Sequence, residues 1–170
     1  MNLDTLHRAI ETRLASRLPE ISITSYPDLS GYVTLPLLVL ELAEFDLGDD
    51  PGTGELALIA QFDARLVLDP TQHDAELNMR QLAARIAAEI HFQTWGLPVA
   101  PARIRDIGPD GFSAELDSYL VWRVSWTQAL HVGEAQDLTL PTINPTEVLI
   151  GINLDDDSPG ELLNPQESTR

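Results

Sequence analysis

The chain has no cysteine and no lysine, little aromatic content and no long apolar run. Without cysteine there are no disulfides, zinc thiolate sites or thiol nucleophiles, and a reducing compartment fits. No apolar stretch approaches the roughly 18 residues that a membrane-spanning helix needs. The opening Met1-Asn2-Leu3-Asp4 lacks a basic region followed by an apolar one, so no secretory leader is expected. Basic charge is also scarce. Ten arginines face 27 acidic residues, a net charge of −17. A surface of that sign repels phosphate backbones and anionic bilayers, so neither specific nucleic-acid binding nor membrane binding is expected.

What is present is apolar patterning. Hydrophobic residues make up 44% of 170 residues, enough to bury a core in one domain. From Leu56 to Leu68 the chain alternates with period two. Leu56, Leu58, Ala60, Phe62, Ala64, Leu66 and Leu68 share one face, and Ala57, Ile59, Gln61, Asp63, Arg65, Val67 and Asp69 lie on the other, where polarity rises toward the end. That pattern predicts a long strand with one face on a core.

Leu3, Leu6, Ile10, Leu14 and Leu18 recur at helical spacing and predict an amphipathic helix stopped by Pro19. Ile21 to Ser25 reads as a short strand. Leu35 to Phe45 reads as a central strand, because its first half is continuously apolar, with Pro36 at its start. Asp46 to Glu55 is a loop by composition, so a hairpin with an extended tip is expected. A second helix is predicted over Asp74–Trp95, with Leu77, Leu82, Ile86 and Ile90 as its buried spine and Ala83, Ala84, Ala87 and Ala88 as a thin surface. Ala102 to Ile107 reads as a short strand, Gly108-Pro109-Asp110-Gly111 as a turn, and Ser118 to Leu130 as a last strand with Leu120, Trp122, Val124 and Trp126 on one face.

The expected fold class is therefore α/β (α+β): a mixed, mainly antiparallel sheet with two amphipathic helices packed on it. Residues 1–132 form that domain and 133–170 an extended acidic C-terminal arm, rich in proline and carrying Asp155-Asp156-Asp157. Within the arm, Val148-Leu149-Ile150-Gly151-Ile152 is apolar and β-prone, the kind of segment that adds to a sheet edge on another subunit.

Residues that carry chemistry do not gather into motifs. His7, His73, His91 and His131 are scattered without metal-ligand spacing, and His7 and His91 read as helix-surface residues. Gly52-Thr53-Gly54 is not a phosphate loop, because no Gly-Lys-Ser/Thr follows and its neighbours are acidic, and there is no GxSxG. Asp46, Asp49, Asp50 and Glu55 offer oxygen atoms of the kind that bind divalent cations, but their spacing is not that of an EF-hand, and they read as solvated turn residues. The sequence thus predicts no catalytic residue, no metal and no cofactor.

The order of elements resembles the tail terminator proteins of long-tailed phages, of the lambdoid protein U type. The likeness covers roughly residues 1–130. It runs through the first helix, the proline-led apolar strand, the acidic glycine-containing loop, the long alternating strand, the acidic-started helix, the glycine-rich turn and the aromatic-bearing final strand. Its local features are Thr53-Gly54-Glu55, Asp69-Pro70 and Asp74-Ala75-Glu76-Leu77. The acidic arm after Gly133 departs from the compact lambdoid type.

The resemblance implies a non-enzymatic structural protein of the virion tail, assembled in the host cytoplasm. It implies a homohexameric ring capping the head-proximal end of the tail tube, stopping tube polymerisation and joining the tail to the neck. Its partners would be itself, the tail tube protein, a neck or head-completion protein and, through the arm, a sheath protein, with DNA passing through the ring. Candidate interface residues are Val148, Leu149, Ile150 and Ile152 in the arm and Asp49 and Asp50 in the loop. The alternatives are another neck or tail-completion ring protein, or a small non-viral soluble adaptor.

Overall fold

In a computed structural model, residues 2–26, 34–110 and 118–136 are described. The chain divides into two units at Asp137/Leu138, and the described residues all belong to the first. In chain order they form α1 (Leu3–Arg17), β1 (Ser22–Ser25), β2 (Leu37–Leu47), β3 (Leu56–Leu68), α2 (Ala75–Ile90), β4 (Arg103–Pro109) and β5 (Leu120–Val132). The strands make one sheet in the order β1-β2-β3-β5-β4, parallel only between β1 and β2. The mixed, mainly antiparallel sheet with two helices packed on it is the fold expected from the sequence.

The helix α1 starts where the Asn2 side chain accepts the Asp4 N–H at 2.9 Å, satisfying one of the orphan donors of the first turn. Its Leu6, Ile10 and Leu14 are buried, and Leu18 follows them into the core. The core lies between the helices and the face of β3 that carries Ala60, Phe62, Ala64 and Leu66, with Trp126 of β5 stacked on Phe62 at 5.2 Å.

Helix α2 differs from its expected register. Leu77 is 55% exposed, and the buried stripe is Ala75, Met79, Ala83, Ile86, Ala87 and Ile90, with Leu82 at its margin. Leu77 lies two residues from Met79, about 200° round a helix of 3.6 residues per turn, so the two cannot share a face. Ala83 and Ala87 let the backbone approach the sheet, while Ala84 and Ala88 face solvent. The helix also ends at Ile90 rather than Trp95, since Phe92, Trp95 and Gly96 all take positive φ.

Three more expectations shift. The apolar half of β2, Leu37–Leu40, is an interior strand buried on both faces as expected, but β1 covers only those residues; among the described residues the rest of β2 forms an edge, and β3 is the middle of the sheet. Gly108 and Pro109 are not a turn but the end of β4, paired with Arg123 and Trp122. The second face of β3 is not solvated either: Asp63, Arg65 and Val67 are buried. Val67 joins Leu37 and Val39 in a small second apolar cluster.

Candidate assembly surface

Among the described residues each edge of the sheet is open, for a different local reason. On the first, β1 stops at Ser25. Tyr26 turns away at φ 48°, and its hydroxyl accepts the Leu42 N–H at 2.9 Å, taking the last bond that β1 would have made. Ala43 then sits in a bulge, and Ala43–Leu47 has no strand outside it among the described residues. Gly48 N–H donates to Ala57 O, so the next pair inward, Leu47 with Leu58, is a wide pair. Alternation makes Phe45 with Ala60 wide as well. The backbone N–H and C=O of Phe45 and Leu47 therefore point outward.

The two faces of this edge are unlike. Phe45 and Leu47 pair with Ala60 and Leu58, which belong to the helix side of the sheet, yet they are 42% and 77% exposed. Leu56 beside them is 53% exposed. Helix cover ends before this part of the hairpin. On the helix-free side stand Glu44 and Asp46, opposite Gln61 and Ile59. The tip beyond turns through Gly52 and Gly54, both at positive φ, where a side chain would be strained. Asp50 accepts the Gly52 N–H at 2.9 Å, and Gln136 N–H donates to Thr53 O at 2.8 Å, tying residues beyond β5 to the tip.

The opposite edge is β4. The loop before it is anchored by buried Gln128 of β5, whose amide accepts from Trp95 Nε1 at 2.8 Å and donates to the carbonyls of Ala100 and Gln93. Arg103 pairs with Thr127 and lies on the helix-free side, and Arg105 occupies a bulge. Both are exposed, and no ion pair engages either among the described residues. Ile107, on the helix side opposite Val124, is 40% exposed.

Between the edges, on the helix-free face, lies a buried charge cluster. Arg65 donates to Asp110 at 2.6 Å, to Asp63 at 3.2 Å and to Glu41. Burial works to lower the Arg65 pKa. The Asp110 hydrogen bond and the charges of Glu41, Asp110 and Asp63 outweigh it, and the net shift is upward. Arg123 bonds Asp106 at 3.4 Å and approaches Asp63 at 4.0 Å. The cluster sets Arg65 and Arg123 against Glu41, Asp63, Asp106 and Asp110, contacts that span β2, β3, β4 and β5 and suit it to fixing their register.

His7, expected on a helix surface, instead sits half-buried in a groove lined by Leu3, Asp4, Arg8, Glu11, Ser25, Tyr26 and Leu42. Its ring meets Phe62 edge-on at 5.5 Å. Burial lowers its pKa, against the raising influence of Glu11 and Asp4. His73 is exposed beside Asp74, His91 lies against Phe92 just past α2, and His131 is exposed at the end of β5.

Of the candidate interface residues, Asp49 and Asp50 stand exposed at the hairpin tip, while Val148, Leu149, Ile150 and Ile152 lie outside the described residues. Asp46, Asp49, Asp50 and Glu55 do not converge: no cluster of His, Asp or Glu able to hold a metal occurs among the described residues. No helix among them is long and apolar enough to cross a membrane. Arg103, Arg105, Phe45 and Leu47 belong to no motif, and the Arg-x-Arg spacing in so acidic a chain is the one sequence signal that marks the first two. Comparison with models of known protein families and with curated proteins finds no match to the chain.

Proposed function

We propose that the chain is a ring-forming structural subunit of the tail terminator type, assembling as a homohexamer at the head-proximal end of a phage tail tube. The sequence resemblance supplies the family. The observation that carries the reading physically is the pair of open, dissimilar sheet edges on one domain. A ring is built from heterologous contacts, in which one patch of a subunit meets a different patch of the next. A protein that works as a monomer gains nothing from exposing Phe45, Leu47 and Leu56 together at a strand edge, and runs an aggregation risk by doing so.

The net charge of −17 suits a channel through which DNA must pass without sticking. In this reading the acidic hairpin tip with Asp49 and Asp50 contacts a neighbouring subunit, the tube or the neck. The Val148–Ile152 segment docks on a neighbouring subunit or on a sheath protein.

Two measurements test the reading. Native mass spectrometry at micromolar concentration over a range of ionic strengths should find a hexamer or its precursors. Particles assembled without the chain should carry tails of uncontrolled length. A monomer under every condition, together with tails of normal length in its absence, refutes it and favours a soluble adaptor.

A further inference from the structure

The proposal deepens the ring reading by naming the subunit contact, and it rests on that reading. Arginine is scarce here, and most of it is used internally. Arg8, Arg17, Arg80 and Arg85 each pair with a carboxylate on the surface, and Arg65 and Arg123 serve the buried cluster. In a chain with 27 acidic residues, an arginine without a partner is a conspicuous exception. Among the described residues Arg13, Arg103 and Arg105 have no ion pair, and the last two lie two positions apart on one strand edge.

The other open edge presents the opposite charge. Glu44 and Asp46 project from the free end of β2, and no ion pair among the described residues engages them. The match extends to both faces of the sheet. On the helix-free side, Arg103 of one edge corresponds to Glu44 and Asp46 of the other. On the helix side, half-exposed Ile107 corresponds to Phe45 and Leu47. A second copy set beside the first with its sheet continuing in the same sense would bring apolar side chains together on one face and opposite charges together on the other. In that arrangement β4 of one copy runs antiparallel to β2 of the next, the commoner pairing.

We infer that β4 of one copy docks on the free end of β2 in the next, with Arg103 and Arg105 facing Glu44 and Asp46. Like edges are kept apart by the same charges: two β2 ends would oppose four carboxylates, and two β4 edges four guanidiniums, the Asp106 of each edge being engaged by Arg123. A symmetric two-fold dimer through either edge is thereby disfavoured, which leaves the head-to-tail contact that a ring requires.

Charge reversal in the full chain tests this. One variant carries Arg103→Glu and Arg105→Glu, the other Glu44→Arg and Asp46→Arg. All four positions are exposed in the single chain, so both variants should keep the circular dichroism spectrum of the folded protein. Each alone should lose the hexamer in native mass spectrometry, with self-association weakened at least about tenfold, as expected when like charges replace a close interfacial pair. Mixed in equal amounts they should recover it. In the mixture each reversed edge finds its complement on the other variant, and the two alternate round an even-numbered ring. Combining all four substitutions in one chain should also restore assembly.

A wild-type hexamer that survives either reversal overturns the inference and leaves the ring reading standing, as does loss without recovery on mixing. A wild-type protein that is monomeric at all concentrations and ionic strengths overturns both.

Discussion

Replacing Arg65 with methionine removes a charge and keeps most of the side chain's packing stem. Arg65 is 9% exposed and donates to Glu41, Asp63 and Asp110. Without the guanidinium, three carboxylates remain close together on a largely buried face, with Arg123 4.0 Å from Asp63 as the nearest remaining cation. Breaking a buried ion pair by removing one partner costs about 3–5 kcal/mol. That is a large share of the 5–15 kcal/mol by which a domain is stable. It corresponds to a drop of about 10–20 °C in melting temperature for a domain of this size. Adding Glu41→Gln, Asp63→Asn and Asp110→Asn to Arg65→Met should recover stability at neutral pH, because replacing a whole buried ionic group costs far less than orphaning half of it. Thermal unfolding followed by circular dichroism at pH 7.5 reads both variants. Melting of Arg65→Met within about 3 °C of wild type at pH 7.5 would mean that the cluster is solvated in solution and contributes under 1 kcal/mol.

Ile86→Ala should cost about 2–5 kcal/mol in urea unfolding and Leu77→Ala under about 1 kcal/mol, because the first empties a fully buried site and the second trims a surface one; equal losses would contradict the register of α2. His7 is held below its ordinary pKa of 6.5 by burial. Its contribution is therefore fully present above that pH and is lost as the pH falls through the lower folded value, so His7→Gln should flatten the melting temperature profile below about pH 6.5; parallel profiles would remove His7 as the cause. Screening long-range repulsion between copies of charge −17 should strengthen self-association as salt rises from low ionic strength toward about 0.15 M, where the Debye length falls to about 8 Å; sedimentation velocity showing steady weakening from the lowest salt would contradict this. Removing residues 138–170 should leave the melting temperature of the first unit unchanged and, on the ring reading, weaken attachment to neighbouring proteins; an unfolded truncation would show that the arm folds back on its own domain.

The elements that the sequence predicted best are those whose pattern has only one geometric solution. The β3 strand was legible to the residue, Leu56–Leu68, because thirteen alternating positions cannot be satisfied by a helix. In α2 two apolar stripes competed. Leu77-Leu82-Ile86-Ile90 scores higher on hydrophobicity, but Ala75-Met79-Ala83-Ile86-Ala87-Ile90 won, since its alanines let the helix lie close on the sheet and Met79 fills what remains. The buried face with Asp63 and Arg65 looked solvated because each residue was read alone. Its partners Glu41 and Asp110 lie 24 and 45 positions from Arg65, and only strand pairing brings them together. The open edges were invisible for a related reason: whether a strand is covered depends on where its neighbours stop, and β1 stops after four residues.

Open edges carry a hazard as well as a use, and both edges here limit it in the same way. A bulge interrupts each one, at Ala43 and at Arg105, and Pro109 near the end of β4 has no N–H to offer. A long ladder of backbone bonds with an arbitrary partner strand is therefore blocked at both edges, and only a short run of pairing is possible. Backbone bonds are blind to sequence, so shortening the ladder shifts discrimination to the side chains. At these edges the side chains are arginine on one and carboxylate on the other, with an apolar strip behind each. An edge built in this way rejects stray strands and its own like, and accepts one partner well. A single favoured head-to-tail contact still gives a filament unless the rotation per subunit closes. On the ring reading, closure depends on the angle at which the β4 and β2 edges meet.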